Sequence, residues 1–143
     1  MHTFLFQAGE WEAEGTYWNE FGDPSPLKGK TVITHTRERW HNQGTMRVLG
    51  TPPVTLHNDY TILPFPEDEL QTQWTSKNPA LGDLHGQFLL VGDTIVSTFS
   101  SADQRYHGTE FMLQVDAHHY ENRGVLMVGE RLLSAWQVRL QRR

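Results

Sequence analysis

Turn-forming residues divide this chain so evenly that only short strands fit between them. Gly, Pro, Asn and Asp concentrate at residues 21–29, 42–44, 50–53, 64–69, 78–83, 92–93 and 129–130. Their spacing, roughly 8–12 residues over most of the chain, leaves no window with a sustained helical period. The runs between them are rich in β-branched and aromatic residues. Residues 10–18 alternate strictly, with Glu10, Glu12 and Glu14 on one side and Trp11, Ala13, Gly15 and Tyr17 on the other. Three neighbouring carboxylates cannot be desolvated without partners, so they face water and the other set faces inward. Gly92-Asp93, between 84–91 and 94–100, is a two-residue hairpin signal. Further strands are expected at 30–41, 45–49, 54–63, 70–76, 106–116, 119–128 and 132–140, about ten in all by this spacing. The prolines and glycines of 21–29 predict a loop, and Asn42-Gln43-Gly44 predicts a turn.

An open sheet of that many strands has two long edges, whereas closure removes them, and short hairpin links favour sequential order. The expected fold is all-β, an antiparallel up-and-down barrel of about 8–10 strands, in one domain over residues 1–143. A hydrophobic content of 37% supplies a core, and a net charge of −5 argues against a nucleic-acid partner. Arg139, Arg142 and Arg143 read as a solvated tail. The chain has no Cys, which excludes disulfides, thiolate metal sites and Cys nucleophiles and fits a reducing, cytoplasmic setting. No apolar run approaches the roughly 20 residues of a helical membrane span, and residues 1–8 are too short for a signal peptide.

The opening of the first strand, Gly9-Glu10-Trp11, resembles the Gly-x-Trp signature of the calycin superfamily, which includes lipocalins and fatty-acid-binding proteins. The resemblance implies a barrel in which Trp11 plugs one end against an Arg of the last strand. Arg139 is the first candidate partner, although Trp136, Val138 and Leu140 form the more apolar, opposite face; Arg131 is the second. The longer form, Gly9-x-Trp11-x-Ala13-x-Gly15, is similar to the opening of nitrobindin-like heme proteins, with Ala at the middle position. In that family the iron ligand is a His near the C-terminus, but here the last His is His119, so heme is not expected. Small residues after the Trp also let the strand bend and leave inner space unfilled.

A small barrel is either filled by its own side chains or holds one small ligand. The candidate ligand contacts are Trp11, Tyr17, His57, Asp59, Trp74, His85 and Glu110. His57 and Asp59 share a strand face with Thr55 and Thr61, opposite Leu56, Tyr60 and Ile62; that polar face either lines a lumen or faces solvent. Residues 73–82 read either as a portal or as a strand end capped by Asn78-Pro79. No metal site is expected, because adjacent His118 and His119 would point to opposite faces and neither His-x-His nor His-Glu-x-x-His occurs. The sequence names no cofactor.

Three functions fit this reading. The first is binding of a small apolar or amphipathic ligand inside the barrel, with polar groups fixing its orientation. The second is a lyase- or isomerase-type enzyme on the same scaffold, which needs a His or carboxylate inside; His57, Asp59, His85 and Glu110 are the candidates, and convergence of two of them in one cavity would favour it. The third is a filled barrel whose outer stripe, Thr109, Phe111, Leu113 and Val115, forms a homodimer or another interface.

Overall fold

The computed structural model describes all 143 residues. Ten strands follow one another without a helix: β1 (Gly9–Trp18), β2 (Pro24–His35), β3 (Trp40–Val48), β4 (Val54–Ile62), β5 (Gln71–Asn78), β6 (Gly82–Val91), β7 (Thr94–Ser101), β8 (Tyr106–Asp116), β9 (His119–Val128) and β10 (Arg131–Arg142). Each pairs antiparallel with the next, and β1 pairs with β10, so the sheet closes into the expected barrel. No helix is long and apolar enough to cross a membrane.

The alternation of β1 sets the inside and outside of the whole molecule. Trp11 and Ala13 are buried, while Glu10, Glu12 and Glu14 face outward beside Lys30, Arg143 and Lys28. These pairs are exposed and contribute little to stability. Across the β1–β10 seam, Ala13, Gly15 and Tyr17 lie opposite Leu140, Val138 and Trp136, so the apolar face of β10 is the inner one.

Two boundaries differ from the sequence reading. The expected loop at 21–29 is strand from Pro24 onward. The carbonyl of Pro26 accepts from Leu49 N at 2.8 Å, which places the missing N–H of Pro26 toward the end of β3, where the ladder stops and no donor is needed. The expected turn at 42–44 lies inside β3, and the chain reverses instead at residues 36–39. There Thr36 Oγ1 donates to the carbonyl of Arg39 and accepts from its N–H, at 3.0 and 3.1 Å. A threonine hydroxyl replaces the glycine that a turn usually advertises.

One barrel end is closed by residues 1–8. The Tyr120 hydroxyl accepts from the backbone N–H groups of Thr3 and Phe4 at 3.1 and 3.3 Å and lies 2.8 Å from His2 Nδ1. His35 Nε2 binds the carbonyl of Leu5 at 2.7 Å, and Leu5, fully buried, is held at φ +71°. A bulky residue adopts that conformation only where surrounding contacts enforce it. The plug brings Phe4 edge-on to Trp11 and tilted against Tyr120, and Trp11 is itself edge-on to Tyr120, with centroids 5.3–5.7 Å apart.

The wall is uneven in one place. β3 pairs with β4 along nine residues, but β4 pairs with β5 only at Tyr60–Ser76, Thr61–Thr75 and Ile62–Trp74. From Val54 to Asp59, β4 therefore has one unpaired edge, at the barrel end opposite the plug.

Candidate functional site

Glycines on the inner face keep the barrel from filling itself. Gly15, Gly29, Gly44, Gly86, Gly108 and Gly124 all sit at inward register positions, and several allow a neighbouring large side chain to lie flat along the wall. The indole of Trp74 crosses Gly86, where an added Cβ would come within 2.6 Å of the ring, and the indole of Trp136 crosses Gly124 in the same way. Rings laid along the sheet leave the centre open. The result is an interior cavity of about 360 Å³, within the range of small-molecule sites.

The polar chemistry of this cavity centres on Glu110. Glu110, Gly124 and Trp136 are register neighbours on β8, β9 and β10, so the Trp136 indole N–H reaches over the glycine and donates to Glu110 Oε2 at 2.9 Å. Asn122, one inward position further along β9, also lines the cavity, and its side chain favours the ionised carboxylate. Desolvation by the barrel wall pushes the Glu110 carboxyl above the usual carboxylate range, and the Asn122 and Trp136 side chains only partly oppose that. Tyr60 on β4 also faces the cavity, its ring edge-on to Trp74 with centroids 4.8 Å apart. Burial and the charge of Glu110 raise its phenol far above the normal tyrosine range, so it stays protonated. The Trp74 N–H donates to Ser97 Oγ at 3.2 Å.

The residues singled out from sequence fall into two groups. Tyr17, Trp74 and Glu110 line the cavity. Trp11 is completely buried at the plugged end, behind Phe4, and its indole N–H has no partner. His57, Asp59 and His85, expected beside the other candidates, stand on the outer wall and do not line this cavity. The parity of β4 sends Leu56, Asn58 and Tyr60 inward and His57 and Asp59 to solvent. His85 bonds Ser100 Oγ at 3.1 Å across the outside of β6 and β7. No two of the four candidates for the enzyme reading therefore share the cavity, and only Glu110 is inside. The stripe Phe111, Leu113 and Val115 is exposed.

The Trp–Arg expectation also changes partner. Arg139 points outward to Glu121 at 3.2 Å, and Arg131 is exposed. The arginine in register with Trp11 is Arg142. It passes over Gly9 and donates to the Ala8 carbonyl at 2.9 Å and to the Gln7 side chain. The three C-terminal arginines are thus docked on the barrel and do not form a free tail.

Sequence reasoning missed Tyr60 and Asn122 as cavity residues and placed Trp136 only on the apolar face of the last strand. The alternation around His57 already contained the signal for Tyr60, since residues of opposite parity face opposite ways. Asn122 and Trp136 acquire their role only through register with Glu110. The segment 73–82 combines both expected roles: Asn78 Oδ1 accepts from the N–H groups of Ala80 and Leu81 at 2.9 and 3.0 Å, and all three residues border the cavity.

The chain is a closed ten-strand antiparallel barrel with a plugged end and a ligand-sized interior. In the same class, the chain is similar to the S-type phycobiliprotein lyase CPES from Guillardia theta, with a TM-score of 0.69 and 12% identity over 98% of this chain and 90% of that one. The shared property is the fold. No protein-family model and no curated protein matches the chain.

Proposed function

We propose that the protein binds a small, partly apolar molecule inside the barrel. The observation that carries this reading is the cavity of about 360 Å³, walled by Tyr17, Tyr60, Trp74 and Trp136 and containing one inward-facing carboxyl, Glu110. An apolar interior with a few convergent polar groups is the usual form of a small-molecule site. Native mass spectrometry of freshly purified protein, followed by titration with the uncharged dye N-phenyl-1-naphthylamine under tryptophan fluorescence, tests it. A co-purified molecule or saturable binding of the dye supports the reading. The absence of any saturable binding by that dye and by neutral apolar probes overturns it.

A second reading, lyase-type activity on the bound molecule, draws support from the fold shared with a phycobiliprotein lyase. Within the cavity its chemistry would rest on Glu110 and Tyr60, both protonatable and both facing the interior. Pairing with a second copy through Phe111, Leu113 and Val115 is compatible with either reading, and light scattering over a concentration series tests it.

A further inference from the structure

The charge inventory of the cavity is one-sided. Its titratable groups are Glu110, Tyr60 and Tyr17, and no Lys, Arg or His lines it. The inward-register cation nearest the plug, Arg142, is committed to Gln7 and Ala8 at the barrel end. A single carboxyl among aromatic and aliphatic walls is costly to ionise unless something positive joins it. The fixed donor on it, Trp136, is neutral, as is the neighbouring Asn122. A carboxylate accepts about four hydrogen bonds, so acceptor capacity remains on the lumen side. The indoles of Trp74 and Trp136 and the Tyr60 ring add π-faces that attract cations.

We infer that the ligand class taken by this cavity is an apolar aromatic or aliphatic molecule bearing a protonated nitrogen, with Glu110 as its counter-ion. The inference rests on the proposed binding function and narrows it. An anionic amphiphile would meet Glu110 with no cation to offset it. An ammonium would form a charge-assisted hydrogen bond with the carboxylate. Where Glu110 is protonated beforehand, binding breaks its O–H bond and releases that proton to solvent, while the ammonium keeps its own.

Three isosteric probes separate the possibilities: 1-naphthylmethylamine, 1-naphthylmethanol and 1-naphthoate, titrated against tryptophan fluorescence. The expected order is amine tightest, alcohol weaker by about tenfold or more, and naphthoate weakest. Glu110→Gln should bring the amine down to the alcohol's affinity and leave the alcohol unchanged. Calorimetry of the unaltered protein in two buffers of different ionisation enthalpy gives an independent readout. Amine binding should release a proton to a degree that grows as pH falls through the Glu110 titration, and alcohol binding should release none. An amine no tighter than the alcohol, a tightest naphthoate, or no proton release across the acid range overturns this inference while leaving small-molecule binding standing. If none of the three probes binds, the proposed function fails with it.

Discussion

Trp136 donates its indole N–H to Glu110 at 2.9 Å across Gly124. That bond favours the ionised carboxyl, against the desolvation that favours the neutral one. Trp136→Phe should therefore raise the Glu110 pKa further and cost roughly 1.5–3 kcal/mol at pH values where the carboxylate is charged. Carboxyl-carbon NMR titration of the two proteins checks the shift.

The pH dependence of stability follows from the same carboxyl. Its native pKa lies above the unfolded one, so between the two the native state holds more protons and its stability falls as pH rises. Above the native pKa this contribution levels off. Glu110→Gln should remove that slope and raise stability at neutral pH relative to the unaltered chain. Urea denaturation midpoints over a pH series show whether the curves differ in this direction.

Gly124 is a packing requirement. An added Cβ would collide with the Trp136 ring, and overpacking of this kind typically costs about 1–3 kcal/mol. Gly124→Ala should destabilise the barrel and move the indole off Glu110, so that the tryptophan emission changes under native conditions.

Trp11 and Trp18 stand on opposite faces of β1. Trp11 is fully buried, and Trp11→Ala should cost about 3–5 kcal/mol. Trp18→Ala should cost under about 1 kcal/mol. Equal losses on chemical denaturation would mean that the alternation of β1 does not decide burial.

The plug depends on Tyr120. Tyr120→Phe leaves two buried backbone donors, Thr3 N and Phe4 N, without their acceptor, a loss of about 1–3 kcal/mol. Limited proteolysis should then cut within residues 1–8 faster than in the unaltered protein.

The unpaired edge of β4 sets the order of hydrogen exchange. Amides of residues 54–59 on the β5 side lack ladder partners and should exchange well before those of β8 and β9, which pair along nearly their whole length. Uniform protection around the barrel would contradict the gap.

What the sequence determined by itself was the class of fold and the facing of its strands. Alternation in residues 10–18 separates Trp11 from its neighbouring glutamates without reference to any other strand, because side-chain period is a local property of extended backbone. The Gly92-Asp93 turn and the span of β8 are likewise local, and the small residues at Ala13 and Gly15 already pointed to an unfilled interior. Tertiary structure decided everything that depends on register. The prolines of β2 are tolerated because β3 ends beside them, the reversal at 36–39 is held by one hydroxyl, and Arg142, two strands' worth of pairing from any local signal, takes the place expected for Arg139. His57, Asp59 and His85 look no less functional than Glu110 when read as residues. Only the closed sheet puts three of them in water and the fourth beside Trp136, since a carboxyl acquires its chemistry from the dielectric and donors that distant strands bring to it.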